Sequence, residues 1–234
     1  MASDESEQSS PTLIAANPTA GGPLVLPDQI LPPNLFVLPF NHAIPFPTLL
    51  APIQVSVPKH VQMIEEAINR QRVIGILLTK DSDVTESVQS SELYSVGVAV
   101  RILKRIKLPD GSINLLVHSI KRFVAQRVLS EHPYLVVEAR YIEDESEKSN
   151  EMDALTRTVV AQVKKLSEVN PFFTEEMRLA MINAPSAGVV ADLVAFSLAL
   201  PKPDAQGFLE TFSVRQRFEK LLVHLRREQA VADL

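Results

Sequence analysis

The sequence predicts an α+β protein in which a small β-barrel with one helix is followed by an all-helical bundle. Residues 33–143 contain six or seven short apolar or alternating runs of strand length, and a single stretch with helical spacing. Residues 150–234 instead carry apolar positions about 3.6 residues apart, as amphipathic helices do. So many strands in about 110 residues favour a closed or half-closed barrel, because closure removes exposed edges.

The composition limits the class of protein. The chain has 234 residues, of which 46% are hydrophobic and 22% are charged, so it has enough apolar material to form a core. It has no cysteine, which excludes disulfide scaffolds, thiolate nucleophiles and cysteine-ligated metal sites. The net charge is −5 and no apolar run approaches the roughly 20 residues that cross a bilayer, so we expect a cytoplasmic protein with no membrane partner.

Two boundaries divide the chain. Residues 1–32 are rich in Ser, Pro, Ala and Gly and too poor in large apolar side chains to offset the entropy of ordering, so we expect a flexible tail. Residues 143–151 are polar and charged, as linkers commonly are. We therefore expect a barrel domain over residues 33–143 and a helical domain over residues 150–234.

The first barrel elements follow in order. Residues 34–39 form an apolar run closed by proline and residues 51–57 alternate apolar and polar side chains, so both are expected to be strands. Pro58 can occupy the first turn of the one helix, since its missing N–H has no partner there. The continuous apolar run at residues 73–79 is expected to be a fully buried strand.

The strongest strand pattern is a hairpin. Residues 108–112 contain Pro, Asp and Gly, which suit a tight turn, between a strand at residues 95–107 and a return strand that begins at Ile113. Alternation along the first strand predicts one common face for Val96, Val98, Val100, Ile102, Lys104 and Ile106. Residues 123–129 and 134–142 are expected to be the last strands.

Caps and prolines divide the helical half. The first helix carries apolar residues at helical spacing from Leu155 to Leu166. The later helices are expected to begin at residues whose side chains can cap an N-terminus, namely Thr174, Ser186, Asp204 and Ser213. The last helix reaches Leu234 without glycine, proline or a C-cap, so we expect the chain to continue in its natural context.

No pattern for independent catalysis is found in the sequence. None of the seven glycines precedes a lysine, and neither G-x-G-x-x-G nor G-x-S-x-G occurs, which excludes the common phosphate-binding loops and a nucleophile elbow. The five histidines show no metal-ligand spacing. We therefore expect no catalytic residue, metal ligand or cofactor in this chain, and an autonomous hydrolase has no supporting motif.

Two groups of residues are candidates for binding. A proline-stiffened loop can either plug the barrel end or contact an extended, sticky polypeptide through Phe40, Ile44, Phe46 and Leu49. A basic stretch on neighbouring strands can either be a solvated face or contact an anion, RNA or an acidic partner through Arg101, Lys104, Arg105, Lys121 and Arg122. Phe123 is the one aromatic candidate for base stacking there, which argues against nucleic acid as the partner.

Several motifs, in order along the chain, resemble those of one family. LFVLPFNHAIPFP at residues 35–47 and ELYSVGVAVRIL at residues 92–103, followed by LPDG at residues 108–111, look like the opening strand and hairpin of the N-terminal domain of Lon-type ATP-dependent proteases. HPYL at residues 132–135 is similar to that family's E-x-P-Y-L element. FLET and RFEKLL, within residues 208–222, resemble its last bundle helices. The resemblance extends from the first of these motifs to the C-terminus.

The resemblance implies both a fold and a role. The fold would be a PUA-like β-barrel followed by a helical bundle, and the role would be to recognise unfolded or degron-bearing proteins and to assist hexamer assembly. The family's ATPase and Ser–Lys peptidase modules lie further along and are absent from this sequence, so ATP and Mg²⁺ are implied for the parent protease only. As a fragment, the chain is expected to be a monomer or dimer. The alternative is a standalone PUA-like module that binds RNA or an acidic partner through the basic strands.

Overall fold

Six β-strands and six α-helices form the part of the chain that the computed structural model describes, which comprises residues 31–42, 45–81, 88–146, 148–167 and 175–232. Of the expected flexible tail, residues 1–30 lie outside this part. Residues 32–234 form one compact unit. The architecture is α+β, as the sequence predicts, with all six strands before residue 142 and five of the six helices after it.

The six strands belong to one mixed sheet. They are β1 (Asn34–Phe40), β2 (Leu50–Val55), β3 (Val73–Leu78), β4 (Val96–Lys107), β5 (Ile113–Ser130) and β6 (Val136–Tyr141). The strand order is β2-β5-β4-β3-β1-β6, and β5 pairs with β6 as well. Only the β1–β3 pairing is parallel among the described strand pairs. The pairings therefore lead from β5 through β4, β3, β1 and β6 back to β5.

Strand β5 makes this arrangement possible because it is 18 residues long. Its first part pairs with β2 and β4, and its second part, from Phe123 onward, pairs with β6. The sequence pattern predicts two shorter strands here, whereas the structure has one continuous strand. Phe123 is fully buried, and a Cβ on Gly75 of β3 would lie 2.6 Å from its ring, so only glycine admits this ring against β3.

The hairpin between β4 and β5 is confirmed. Gly111 has φ +84° and its N–H donates to the Leu108 carbonyl at 3.1 Å, so the turn needs a residue that adopts positive φ. The Asp110 carboxylate accepts hydrogen bonds from the Ser112 hydroxyl at 2.6 Å and from the Ser112 backbone N–H at 3.0 Å. These hydrogen bonds hold the pKa of Asp110 below its usual value.

The predicted common face of β4 is only half right. Val96, Val98, Val100 and Ile102 are buried, but Ile106 is 49% exposed. A register shift lies between Ile102 and Lys104, where Ile102 pairs with Val117 and Lys104 pairs with Leu116. This β-bulge moves Lys104 and Ile106 to the opposite face, because one extra residue exchanges the two sides of a strand.

One helix packs within the strand region. Helix α1 (Pro58–Arg70) begins at the predicted proline and buries His60, Met63, Ile64 and Ala67. Strand β3, which follows it, is buried at all six positions, as predicted. The core of this region therefore lies between α1 and the inner sides of the strands.

Five helices follow the sheet in the described residues. They are α2 (Asn150–Ser167), α3 (Glu175–Ile182), α4 (Ala187–Ser197), α5 (Lys202–Leu209) and α6 (Val214–Ala232). Ser186 caps α4 by accepting the Val189 N–H at 3.3 Å, and Ser213 accepts the Gln216 N–H at 3.4 Å before α6. Asp204 does not cap α5, which begins two residues earlier after Pro201. The remaining predicted cap, at residue 174, lies outside the described residues.

Helix α4 is the central helix of this group. Eight of its eleven residues are buried, and it contacts α2, α3 and α6. The helices also connect to the end of the sheet through backbone hydrogen bonds. Glu145, which follows β6, donates its N–H to the Phe212 carbonyl at 3.1 Å and accepts the Val214 N–H at 3.0 Å. The polar segment after β6 is therefore held beside the start of α6.

Candidate functional site

The loop after β1 is the first candidate site, and the structure divides its predicted residues. Phe40 is the last residue of β1, and its half-buried ring meets His42 edge-on with 5.5 Å between ring centroids. Leu49 is also half-buried and packs against the core. Ile44 lies outside the described residues. Phe40 and Leu49 thus keep part of their surface exposed.

Phe46, the fourth residue of this set, is a core residue. Its side chain is only 3% exposed, and its ring packs edge-to-face against Phe208 of α5 with 5.3 Å between centroids. This contact joins the loop to the helical half of the molecule. Because Phe46 is buried, it does not belong to the candidate surface. Its packing agrees with the other role that the sequence left open for this loop, which is to plug one end of the strand region.

A cavity of about 250 Å³ lies beside Phe40. Its walls come from the end of β1, from β2 and from the start of α1, and include Gln54, Ser56 and the buried His60. The lining mixes apolar and polar side chains. Such a cavity can accept one side chain of an extended peptide, with Phe40 at its border.

The basic stretch is the second candidate, and most of its charges have partners within the chain. Arg105 and Lys107 both pair with Glu65 of α1, with 3.1 Å between Lys107 Nζ and Glu65 Oε1. Lys121 pairs with Glu143. The bulge in β4 explains the first two pairs, because it turns Arg105 toward α1. Each of these three positive charges thus faces a carboxylate, as expected for a structural surface rather than a polyanion site.

Arg122 does not lie on the predicted basic surface. Its side chain is 3% exposed and donates two hydrogen bonds to Asp192 of α4, at 2.6 and 2.8 Å. Its Nε donates to the Leu209 carbonyl at 3.2 Å. The prediction of a partner contact at Arg122 is corrected accordingly. Of the predicted set, Arg101 is half-buried and Lys104 is exposed.

Arg122 belongs to a cluster of four charges, three of them buried, which we call the buried ion cluster: Arg122, Asp144, Asp192 and Arg217. Arg217 of α6 is fully buried and donates to Asp192 Oδ1 at 2.8 Å, while its other terminal nitrogen contacts Asp144. The two positive and two negative charges cancel. A Cβ on Gly188 would overlap Asp144 Oδ2, so the absence of a side chain at Gly188 lets this carboxylate approach α4 closely. The cluster joins β5, the segment after β6, α4 and α6.

The sequence contained a signal for this cluster that pattern analysis missed. Asp192 is the one charged residue in α4, a helix whose other positions are apolar or small. A lone charge in an apolar helix needs a buried partner of opposite sign. The partners lie 70 residues before it and 25 residues after it along the chain, so the sequence indicates that a partner exists but not which one.

Exposed apolar side chains are a second feature that the sequence patterns did not reveal. Ten large apolar residues are 38–59% exposed among those described. Six of them lie on the neighbouring strands β2, β5 and β4, and four of these six share a surface that we call the outer strand face: Leu50, Leu103, Ile106 and Leu116. The available signal was Leu116, which alternates with the inward-facing Leu115 and Val117 and must therefore point outward.

Within the described residues, no three His, Asp or Glu side chains are grouped closely enough to hold a metal ion. Of the helices described, none combines the length and apolar character that crossing a bilayer requires.

Comparisons with known proteins give one consistent family. The family model for the ATP-dependent protease La (LON) substrate-binding domain matches residues 34–227. Lon protease of Leptospira interrogans is 36% identical over 202 residues, which are 86% of this chain and 24% of that protein. Lon protease of Treponema pallidum is 34% identical over 208 residues, which are 88% of this chain and 23% of that protein. The chain thus spans about a quarter of the length of these relatives.

Two solved structures support the fold. A Lon N-terminal domain protein from Xanthomonas campestris superimposes with a TM-score of 0.57 at 19% identity, over 81% of this chain and 97% of that one. The N-terminal domain of Mycobacterium avium complex Lon protease gives a TM-score of 0.61 at 19% identity, over 82% and 98% of the two chains. Since the family model matches most of its length, this chain belongs to the family of Lon protease substrate-binding domains.

Proposed function

We propose that this chain is the substrate-recognition and assembly region of a Lon-like ATP-dependent serine protease, and that it binds misfolded or degron-bearing proteins through apolar patches. The match of the substrate-binding family model to residues 34–227 carries this proposal. The chain corresponds to about a quarter of the Lon relatives, so ATP, Mg²⁺, the ATPase and the Ser–Lys peptidase belong to the rest of the parent protein.

The finer architecture is part of the same proposal. The ring of pairings through β5, β4, β3, β1 and β6 supports a PUA-like barrel over residues 33–143. The helices from α2 onward support a bundle over residues 150–234. We place the parent protein in the cytoplasm as a hexamer, and expect this piece alone to be a monomer or dimer.

The surface supports capture of unfolded chains by apolar contact. Burial of a large aliphatic side chain contributes about 1.5–3 kcal/mol when it is complete, and Phe40 and the four apolar residues of the outer strand face are already partly buried. One such contact is too weak to retain a polypeptide, but several together give a useful affinity. Contacts of this kind depend little on salt, since no charges are neutralised.

The charge distribution gives no support to RNA binding through the basic strands. Arg105, Lys107 and Lys121 already face carboxylates, and Arg122 is buried. Binding of a polyanion depends on accessible cations that release counterions from phosphates. We therefore propose a polypeptide as the partner.

The test compares the affinity of the 234-residue chain for one labelled protein in its folded form and in a permanently unfolded, chemically modified form. Fluorescence anisotropy should show binding at least about tenfold tighter for the unfolded form, with little change between low and high salt. Equal affinity for the two forms would contradict the proposal. So would digestion of casein by the purified chain alone.

The contribution of the loop is tested in the same assay. Phe40→Ser should weaken binding more than the lowered stability alone explains, because the half-buried ring packs against the core and still exposes part of its surface. Phe196→Ser on α4, at a residue that is 42% exposed, is the matched control and should bind like the unmodified chain. Equal losses in the two variants would mean that the loop has no special role.

A further inference from the structure

We propose that the outer strand face of β2, β5 and β4 docks an apolar segment of a substrate polypeptide that is flanked by acidic residues. The inference rests on the proposed function, because it assigns the place and the class of segment that the chain recognises.

Cross-strand pairing makes this face continuous. In the order β2, β5, β4, three rows of paired residues point outward: Leu50–His118–Arg101, Pro52–Leu116–Lys104 and Gln54–Asn114–Ile106. Directly paired residues have Cβ atoms about 4.5–5.5 Å apart, so neighbouring side chains in a row touch. Leu116 is at the centre, with one row on each side.

Exposure shows that apolar side chains cross this face among its polar residues. Leu50 is 59% exposed, Ile106 is 49% exposed and Leu116 is 38% exposed. Leu103 is 46% exposed, because the bulge sets it together with Lys104 opposite Leu116. The inward-facing residues of β5 between these outward positions, Ile113, Leu115 and Val117, are buried. Contiguous exposed apolar patches of this kind mark interaction sites in monomeric proteins.

The backbone edge of β2 is not suited to pairing with an added strand. The bound segment therefore contacts the side chains of the outer strand face. Among the described strands, β2 pairs with β5 alone. Ser119 N–H donates to the Leu49 carbonyl at 2.8 Å. Because the direction of the backbone groups alternates along a strand, residues 49, 51 and 53 turn their backbone N–H and C=O groups toward β5. Pro52 therefore turns its backbone nitrogen and carbonyl toward the open edge of β2. Proline has no N–H to donate there, which interrupts any ladder with an added strand.

The charges on this face select the flanking residues of the bound segment. Lys104 is exposed on β4 beside Leu116, while none of the residues in the three rows is acidic. This local positive charge contrasts with the net charge of −5 of the whole chain. An apolar segment with Asp or Glu beside it therefore gains attraction that a segment with Lys or Arg lacks.

The experiment uses the 234-residue chain and two labelled peptides with the same apolar core, one flanked by Glu and one by Lys. Fluorescence anisotropy should give about fivefold tighter binding of the Glu-flanked peptide at low salt, with the preference shrinking at high salt. Lys104→Glu should reverse the preference. Leu116→Ser should lower the affinity for both peptides about tenfold.

Controls separate this surface from other apolar residues and from misfolding. Ile182→Ser removes a side chain that is 57% exposed on α3 and should leave both affinities unchanged. Leu50→Ser, at the edge of the outer strand face and 59% exposed, should weaken binding even if Leu116→Ser perturbs the fold. Thermal melts by circular dichroism verify that each variant is folded.

The outcomes distinguish the two proposals. If the unmodified chain binds unfolded protein but the Leu116 and Leu50 variants bind it equally well, the outer strand face is not the site, while the proposed function stands. If the unmodified chain binds no unfolded protein, the proposed function itself fails. If sedimentation shows that Leu116→Ser separates a dimer without changing peptide affinity, the occupant is a second copy of the chain and our inference is overturned.

Discussion

The buried ion cluster makes Asp192→Asn the most informative single substitution for stability. Asp192 accepts three hydrogen bonds from two arginines that are 3% and 0% exposed. After the change, Arg122 and Arg217 share one remaining carboxylate, that of Asp144, which is 33% exposed. Arg217 Nε already lacks a hydrogen-bond partner among the described residues, so no spare acceptor replaces the lost charge.

The expected loss follows from leaving buried charge uncompensated. Removing one partner of a buried ion pair lowers the free energy of unfolding by about 3–5 kcal/mol. The asparagine amide oxygen still accepts one hydrogen bond, so we expect a value near 3 kcal/mol for Asp192→Asn. Asp192→Leu keeps no acceptor and should approach the upper value, about 5 kcal/mol.

The assay is urea unfolding followed by circular dichroism. With a slope of about 2 kcal/mol per molar urea, a loss of 3 kcal/mol moves the midpoint down by about 1.5 M. Glu143→Gln is the matched control, because it removes a carboxylate that is 84% exposed and pairs with Lys121, and its loss should stay below about 1 kcal/mol. A shift for Asp192→Asn no larger than that of the control would refute the reasoning.

Three further predictions concern single residues. Gly188→Ala places a Cβ on Asp144 Oδ2 and should destabilise the protein by about 1–3 kcal/mol in the same unfolding assay, so an unchanged midpoint would speak against the tight contact. Gly111→Ala meets no atom within 4 Å, so only its φ of +84° matters and the loss should be about 1–2 kcal/mol; a larger loss would mean that the turn is packed. Burial raises the pKa of Tyr141 to about 12, and its hydroxyl donates to the Pro32 carbonyl at 2.6 Å. The unmodified chain should therefore be about 0.5–1.5 kcal/mol more stable than Tyr141→Phe at pH values up to the ordinary tyrosine pKa of 10.0. This difference should shrink as the pH rises toward 12, and a difference that does not change with pH would disprove this role.

Features fixed by a few neighbouring residues could be predicted from the sequence. The turn after β4 is specified by Asp110 and Gly111, whose side-chain bonding and positive φ are local properties. The start of α1 at Pro58 and the cap of α4 at Ser186 are local in the same sense. Continuous apolar strands such as β3 are predictable as well, because both sides of the strand are buried.

Features that depend on distant partners could not be predicted. Alternation gives two faces for β4, but the bulge after Ile102 exchanges them, and no residue type at that point demands a bulge. Phe46 is buried because Phe208 packs on it from α5, far along the chain. Arg122 has the same sequence signature as an exposed basic residue, and only the position of Asp192 in the fold makes it a core residue.

Strand β5 carries both the outer strand face and one end of the buried ion cluster, yet the two should act independently. Leu116 and Arg122 are six positions apart on one strand, and a rise of about 3.3 Å per residue separates them by about 20 Å. Substitutions more than about 10 Å apart that share no partner have additive effects on stability. Leu116 is positioned by its pairing with β2 and β4, which needs no charge from the cluster. The proposed binding of a polypeptide should therefore depend on the strand pairing, while the cluster should determine how firmly the helices remain attached to the sheet.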